Sequence, residues 1–272
     1  MLHGLLNPSR KTLKPSIVRA TVTSEASAKA LKDTVKSDSG VQIKVSHGPA
    51  QHVEVANNSD VIILACPPPA MSSVLGEPDL QKALHGKTLV SVLAGVTTTD
   101  IGSALGGAEG QIYVFRALPN LAVATGESAT AVEQAPESYP AEKVKLVDTI
   151  FKQLGRITHL PGSMMDASTV LCGSTPAFIA LFLDGMVDGA VAAGVPRTKA
   201  NAMIAQVLGS TTALLQNDDG SVKGPSALRE EVCAMPGCTI KGSMVLDECG
   251  VRTGAGRAMK EAIEAASGLG KK

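Results

Sequence analysis

The stretch DVIILACPPP, residues 60–69, decides the fold class of this 272-residue chain. From Val61 to Cys66 it is continuously apolar, a pattern typical of a strand that is buried on both faces. The prolines that follow cannot continue the strand, so it ends there. A second strand-like run, TLVSVL at residues 88–93, ends in Ala94 and Gly95. Strands buried on both faces need helices on either side, so the two runs predict a parallel α/β sheet.

Strand and helix patterns alternate through the first 160 residues. Further strand-like runs stand at residues 17–22, 41–45, 112–117, 129–132 and 155–160. Apolar residues at helical spacing predict helices at residues 24–37, 80–84, 100–105 and 141–154. This alternation predicts a doubly wound sheet with helices on both faces.

The pattern changes after Leu160, where strand signals vanish. Residues 176–193 are apolar apart from Asp184 and Asp188, which lie four apart and so share one helical face. A helix this apolar on its other faces does not suit the surface of a monomer. We therefore predict an α/β domain over 1–160 and a helical domain over 161–272 that pairs with a second copy. A buried central helix in a monomer is the alternative.

Composition argues against several classes of partner. Lys plus Arg and Asp plus Glu both number 25, so the formal net charge is +0 and no surface of one sign attracts nucleic acid or an anionic membrane. Aromatic residues make up 2%, which leaves few platforms for stacking single-stranded bases. No apolar stretch is both long enough and free enough of charged residues to be a clear membrane span. We expect a small-molecule partner instead.

The cysteines predict reduced thiols in a cytoplasmic protein. They are five in number, lie mostly in apolar runs and form no C-x-x-C pair. The last three, Cys233, Cys238 and Cys249, have no histidine near them in sequence and fit no common zinc spacing, so we expect no metal site. The basic first forty residues already contain a strand-like run, and we interpret them as folded protein rather than a targeting peptide.

The stretch EEVCAMPGCTIKGSMVLDE, residues 230–248, places Pro236, Gly237 and a lone Thr239 between two helical runs. A loop of this kind can offer backbone N–H groups and one hydroxyl to a ligand. The alternative is a simple Pro-Gly turn with Thr239 as the N-cap of the next helix. Residues 230–248 alone favour the simple turn.

Several stretches, taken in order, resemble the pyrroline-5-carboxylate reductases. They are VSVLAGVT at 90–97, RALPNLAVATGESATAV at 116–132, LCGSTPAFIALFLDGMVDGAVAAGVPR at 171–197 and GCTIKGSMVLDECGVR at 237–252. G-S-x-P-A and G-x-T-x-x-G together are specific to that family. The resemblance implies a Rossmann-like domain, then an all-α dimerisation domain, in a homodimer or larger homo-oligomer. It also implies NADPH- or NADH-dependent reduction of a cyclic imine, 1-pyrroline-5-carboxylate, to L-proline.

The resemblance further implies a substrate site. Thr239 is the catalytic hydroxyl that meets the imine nitrogen. Gly237, which has no side chain, lets the substrate come close to the backbone. The N–H groups of Cys238 and Thr239 face the substrate carboxylate. Ser174 and Thr175 start the apolar helix near the imine pocket.

A cofactor site is implied in the same way. Asn120 resembles the family asparagine beside cofactor and substrate, with an ordinary turn residue as the alternative. ACPP at 65–68 stands where the family has A-V-K-P, so Ala65, Cys66 and Pro68 are expected to line the dinucleotide. Ala94 and Gly95 are expected at the same edge. Ser24 is expected at the adenosine ribose or its 2′-phosphate, or else as an exposed helix cap.

One family feature has no match. The family opens with a strand and a G-x-G-x-x-G loop that lets a pyrophosphate approach a helix N-terminus. MLHGLL at 1–6 resembles the middle of the helix that follows this loop, and the glycine-rich run at 102–110 opens no helix. We therefore expect a sheet that lacks its first strand and leaves unpaired edges on that strand's neighbours.

Two other functions stay open. One is a reductase of a related cyclic imine in a side pathway, and the other is a non-catalytic, dimerising relative that has lost cofactor binding. Retention of Thr239, Asn120 and Ser174 favours an enzyme, whereas the unmatched loop favours the non-catalytic relative. An in-frame strand with G-x-G-x-x-G encoded upstream of Met1 would decide for the enzyme.

Overall fold

A computed structural model describes residues 2–6, 15–35, 41–107, 112–217, 219–234 and 237–268, without the side chains of Leu2 and His3. The chain forms two compact units: unit 1 is Met1–Ser174 with Ala262–Lys272, and unit 2 is Thr175–Glu261. The boundary near residue 161 stays a prediction. Part of the glycine-rich run at 102–110, and Met235 and Pro236, lie outside the described residues.

Unit 1 alternates strands and helices as predicted. The strands are β1 Ile17–Val22, β2 Gln42–His47, β3 Val61–Leu64, β4 Thr88–Ser91, β5 Tyr113–Leu118, β6 Ser128–Glu133 and β7 Gly155–Leu160. The helices are α1 Leu2–Leu5, α2 Glu25–Thr34, α3 Pro49–Asn57, α4 Met71–Leu75, α5 Pro78–Leu84, α6 Thr98–Ala104, α7 Ala141–Lys152 and α8 Met165–Thr169. Short 3₁₀ turns lie at Pro68–Ala70, Leu121–Ala124 and Gly162–Met164, and a π-helical turn at Val170–Ser174 follows α8.

The main sheet has five strands in the order β3-β4-β5-β6-β7. β3, β4 and β5 are parallel, and so are β6 and β7. β5 and β6 are antiparallel, so the sheet is mostly parallel with one antiparallel join that the sequence did not predict. The segment between Leu118 and Ser128 is too short for the crossover of about a dozen or more residues that a parallel pair requires.

The expected gap in the sheet is present. β1 and β2 form a separate two-stranded parallel sheet. Within the described ranges, β1 pairs only with β2 and β3 only with β4, so each keeps an unpaired edge. Val61, Ile62 and Ile63 of β3 are correspondingly half-buried, although their apolar run predicted full burial. Every residue of β4, in contrast, is buried.

Helices cover both faces of the main sheet around β4. Leu89 and Val90 are each 0% exposed, and as strand neighbours they point to opposite faces. Leu89 packs into an apolar cluster with residues of α4, α5 and α6. Val90 packs into a second cluster with residues of β5, β6 and α7. The doubly wound fold class predicted from residues 60–69 and 88–93 is confirmed.

Lys87, the residue before β4, caps the C-terminal end of α3 with its side chain. Its Nζ donates to the carbonyl oxygens of Ala56, Asn57 and Ser59 at 2.6, 3.0 and 2.7 Å. These carbonyls lie at or just beyond the helix end, where an ammonium also meets the negative end of the helix dipole.

We expect Lys87→Met to lower the free energy of unfolding by about 1.5–3 kcal/mol, because carbonyls that lose a charged donor are left poorly satisfied. Lys82→Met is the matched control, since Lys82 makes an exposed i,i+3 ion pair with Asp79 at 3.0 Å. An exposed pair of this kind contributes roughly 0–1 kcal/mol. Urea unfolding of both variants measures the difference, and equal midpoints would contradict the role given to Lys87.

Unit 2 is entirely helical. It contains α9 Thr175–Ala192, α10 Arg197–Leu214, α11 Pro225–Val232, α12 Cys238–Glu248 and the first part of α13 Val251–Ser267. Among its described residues only Val187 and Ala200 are buried. Large apolar side chains lie open along α9, α10 and α12, including Leu181, Phe182, Met186, Met203, Val207, Met244 and Val245.

The helical stretch Gly162–Ala192 is long and apolar enough to cross a membrane by length and composition alone. Helix–helix pairing with a second copy would cover the same surface in water. The expectation that the protein has no membrane partner stays a prediction, which the association experiment in the Discussion tests.

Candidate functional site

The carboxyl ends of β3, β4 and β5 lie side by side at one edge of unit 1. Their parallel register pairs Leu64 with Ser91 and Ser91 with Arg116. The segment that follows β3 therefore lies next to the segment that follows β4. The segment that follows β4 in turn lies next to Pro119 and Asn120, which follow β5. Ligands of open α/β sheets bind in the crevice outside this edge.

After β3, the chain turns quickly into helical structure. Ala65 is exposed, and Cys66 is half-buried and packs against the cluster around Leu89. Burial raises the pKa of the Cys66 thiol, so the thiol stays protonated and uncharged at neutral pH. Pro68 begins the 3₁₀ turn that leads into α4. Small, uncharged groups therefore face this part of the edge.

After β4, the chain makes a turn that requires glycine. Gly95 has a φ of 74°, in the left-handed region that residues with a Cβ rarely adopt. Ala94 and Gly95 are each half-buried, and neither carries a large side chain of its own. Thr97 then caps α6 in a reciprocal capping box with Asp100.

Asn120 follows β5 and is held by hydrogen bonds of its backbone and of its side chain. Its backbone N–H donates to Ser128 Oγ at 3.2 Å, and its Oδ1 accepts from the Ala122 N–H at 3.1 Å. Its Nδ2 donates to the carbonyl oxygen of Cys172 at 3.0 Å. Both ends of the side-chain amide thus have partners within the protein.

Ser24 caps α2 at the carboxyl end of β1. Its Oγ accepts from the Ser27 N–H at 3.2 Å and donates to Ser27 Oγ at 2.9 Å. The side chain is exposed, as the helix-cap alternative expected. Contact with a ribose or 2′-phosphate stays a prediction.

The edge residues fit a dinucleotide. Ala65, Ala94 and Gly95 leave backbone open at two adjacent strand ends, which lets a flat ligand approach closely. In the described part of the chain, β1 belongs to a sheet that no strand joins to β3, and Ser24 follows β1 as the cap of α2. The residues that fit the dinucleotide therefore stand on two separate sheets.

Unit 2 carries the second group of predicted site residues, at the start of α12. Gly237 is the N-cap in an extended conformation, and α12 begins at Cys238. Thr239 lies inside the first turn, so it is not the cap that the turn alternative required. Its side chain is exposed, and its hydroxyl has no hydrogen-bond partner among the described residues. The first N–H groups of a helix have no partner within the helix and can hold an anion.

Ser174 and Thr175 mark the passage from the π-helical turn into α9. Both are half-buried. Thr175 Oγ1 is shielded from solvent and has no partner in the part of the chain that the structure describes. A buried hydroxyl without a partner is costly, so this oxygen is a candidate for contact with a bound molecule.

Comparisons with known proteins agree over most of the chain. The family model "Pyrroline-5-carboxylate reductase dimerisation" matches residues 162–269, and "NADP oxidoreductase coenzyme F420-dependent" matches residues 1–95. A pyrroline-5-carboxylate reductase of Lophium arboricola is 40% identical over 229 residues, covering 82% of this chain and 70% of that protein. One of Schizosaccharomyces pombe is 34% identical over 241 residues, covering 88% and 82%.

The chain belongs to the pyrroline-5-carboxylate reductase family. The resemblance of the four quoted stretches is thereby confirmed. The solved structure of a Plasmodium falciparum pyrroline carboxylate reductase with NADP bound has a TM-score of 0.77 and 20% identity, covering 99% of this chain and 92% of that one. This likeness shows the shared fold, a Rossmann-like domain followed by a helical domain.

This family member also has a buried ion cluster that sequence reasoning missed. Arg116 of β5 is 2% exposed, and its Nη1 donates to Glu133 Oε2 at 3.1 Å. Its Nη2 lies 4.0 Å from Asp166 Oδ1, and both Nε and Nη2 lack hydrogen-bond partners among the described residues. The one signal in the sequence was a charged residue, Arg116, inside an otherwise apolar strand-like run, four residues before Asn120.

The cysteines of this reductase-family chain are all free. Burial also raises the pKa of the Cys172 thiol. In the described residues, no group of three or more His, Cys, Asp and Glu side chains is placed to hold a metal ion. The site residues therefore offer hydroxyls, amides and backbone N–H groups, which suit acid catalysis and anion binding.

Proposed function

We propose that the chain catalyses the NADPH- or NADH-dependent reduction of 1-pyrroline-5-carboxylate to L-proline. The observation that carries this proposal is the start of α12, where the exposed Thr239 hydroxyl, which has no partner among the described residues, stands in the first turn of the helix. Membership of the reductase family supports the same substrate. Proline biosynthesis in the cytoplasm is the corresponding cellular role.

The residues at the start of α12 match the two polar groups of this substrate. The N–H groups of Cys238 and Thr239 would hold the carboxylate, because a helix N-terminus binds an anion without a buried cation. Gly237 lets the substrate approach the backbone. The Thr239 hydroxyl would donate to the imine nitrogen and supply its proton as the carbon is reduced.

The strand ends of unit 1 would hold the dinucleotide. When bound, NADPH or NADH supplies the hydride. Ala65, Cys66, Pro68, Ala94 and Gly95 would form the open edge on which it lies. The uncharged Cys66 thiol places no negative charge against it. Ser24 would meet the adenosine ribose or its 2′-phosphate, and Ser174 and Thr175 would border the imine.

The family match to a dimerisation domain indicates a homo-oligomer. We further propose that this is a homodimer, formed by residues 161–272 and carrying α/β domains of residues 1–160. The many uncovered apolar side chains of unit 2 support this arrangement, since a stable monomer surface rarely leaves such a patch in water.

Two alternatives stay open. The divided sheet favours a non-catalytic relative, because β1 and β3 do not pair with each other or with an intervening strand in the described ranges. A reductase of a related cyclic imine would use the same N–H groups and hydroxyl on a different ring. The substrate is therefore the part of the proposal that experiment must decide.

The test is product formation from racemic 1-pyrroline-5-carboxylate at high NADPH, with L-proline identified by chiral chromatography. High cofactor is needed because the divided sheet predicts NADPH binding weaker than micromolar in a fluorescence titration. Proline formed at a rate proportional to protein supports the proposal. NADPH binding without proline formation would point to another imine, and no binding at any concentration to the non-catalytic relative.

A further inference from the structure

Asn120 ties three segments of unit 1 together. Its backbone links the end of β5 to Ser128 at the start of β6. Its Oδ1 caps the 3₁₀ turn Leu121–Ala124 by accepting from the Ala122 N–H. Its Nδ2 reaches the Cys172 carbonyl oxygen at 3.0 Å, across 52 positions of sequence. This last bond is the one that an ordinary turn asparagine would not need.

Cys172 lies within the π-helical turn Val170–Ser174. A single π turn at the join between two helices is an irregular element, and such turns are often found at functional sites. A donor from outside the helix that binds a carbonyl inside the turn fixes where the widened turn lies. Ser174 ends this turn, two residues beyond the bonded carbonyl.

A second tie holds the segment just before the π turn. Arg116, four residues before Asn120, lies between Glu133 of β6 and Asp166 of α8. The segment from α8 to the π turn is therefore held at two points: Arg116 of β5 holds Asp166 of α8, and Asn120, which follows β5, holds Cys172 of the π turn. The Arg116 guanidinium is 2% exposed, so its attraction to the two carboxylates is little screened by water.

We propose that Asn120 is a positioning residue: its Nδ2–H holds the π-helical turn against the exit of β5 and so sets the place of Ser174. This role differs from contact with the dinucleotide, because both ends of the amide already have partners in the protein. The catalytic part of the proposal rests on the proposed reductase function, whereas its structural part does not.

Two substitutions separate the bonds of the Asn120 side chain. Asn120→Ser keeps an N-cap acceptor for the Ala122 N–H but is too short to reach Cys172. Asn120→Asp keeps the size of the side chain and its acceptor for the Ala122 N–H. It replaces the Nδ2 donor with a carboxylate oxygen, which repels the Cys172 carbonyl oxygen instead of donating to it. Lys87→Met is the control, because it destabilises the same unit from the opposite, amino end of β4.

The structural readout is amide hydrogen exchange of the peptide covering residues 170–175, measured without cofactor or substrate. We expect exchange to become about tenfold faster in Asn120→Ser, the change that one lost hydrogen bond produces, and faster still in Asn120→Asp. Lys87→Met should leave this peptide within about twofold of the unsubstituted protein. Unchanged exchange in both Asn120 variants would overturn the proposal.

The catalytic readout separates positioning from cofactor contact. We expect NADPH affinity within about threefold of the unsubstituted protein, and kcat/KM for the imine lower by about tenfold or more in both Asn120 variants. Weaker NADPH binding with unchanged KM for the imine would instead make Asn120 a cofactor ligand and overturn the proposal. Faster exchange in a protein that forms no proline would support the positioning link while refuting the proposed function.

Discussion

Thr239→Val is expected to lower kcat for imine reduction by about two orders of magnitude, the usual effect of losing an acid catalyst. Valine keeps the shape of threonine and removes only the hydroxyl. Thr239 lies in the first turn of α12 rather than at its cap, so the substitution leaves the helix N-cap, Gly237, unchanged. Steady-state rates on racemic 1-pyrroline-5-carboxylate at high NADPH measure the effect.

Thr239→Ser is the matched control, because it keeps a hydroxyl on the same backbone position. We expect its kcat to stay within about tenfold of the unsubstituted enzyme. NADPH affinity should be equal in all three proteins, since Thr239 is assigned to the substrate. Near-normal turnover in Thr239→Val would remove Thr239 from the mechanism, whatever the behaviour of the serine variant.

Leu181→Asp is expected to raise the dissociation constant of the dimer by at least about 100-fold. Leu181 is 78% exposed on α9 and is one of the exposed apolar side chains of unit 2. Burying one such side chain contributes roughly 1.5–3 kcal/mol, and an aspartate in its place would put an unpaired carboxylate into the contact. A two-fold dimer carries the change twice, and each 1.4 kcal/mol or so is tenfold in affinity.

The glycines of α9 support close pairing on the same surface. A Cβ built on Gly185 or Gly189 would meet no atom within 4 Å, so this side of the helix is open to another helix. Leu121→Asp is the control: Leu121 is 92% exposed but stands in a turn of unit 1, away from α9 in sequence and fold unit. It should leave the dimer unchanged.

Sedimentation of the full chain and light scattering on a fragment of residues 161–272 distinguish the outcomes. A dimer in both, lost only in Leu181→Asp, is the expected result. A folded monomer at micromolar concentration would contradict the dimer and support a buried-helix arrangement. Partition into lipid vesicles, unaffected by the protein concentration, would instead show that Gly162–Ala192 covers its apolar surface with a membrane.

Local sequence predicted those parts of the fold that depend on neighbouring residues. The run at 88–93 is apolar enough to become a central strand, and β4 is buried throughout. The antiparallel join of β5 and β6 was missed because it depends on the length of a connection rather than on the pattern of either strand.

The site was predicted less completely, because its determining contacts join distant residues. Asn120 was recognised as a motif residue, but its bond to Cys172 spans 52 positions and leaves no periodic signal. Arg116 reaches Glu133 and Asp166, on two different elements, in the same way. The catalytic role of Thr239 stays a prediction, and it rests on the family resemblance because residues 230–248 alone favoured a helix cap, whereas the cap of α12 is Gly237.

The unpaired edge of β3 has a consequence for solubility. An uncharged edge such as VIIL at 61–64, which has no second strand beside it among the described residues, can offer its N–H and C=O groups to another extended chain, which is the usual start of strand-to-strand aggregation. Asp60 stands immediately before this strand, and Pro67–Pro69 soon after it. A charge and prolines in these places act as gatekeepers, because they stop an incoming strand from extending the pairing in either direction. The prolines that end the strand thus also limit how far a second molecule can add to it.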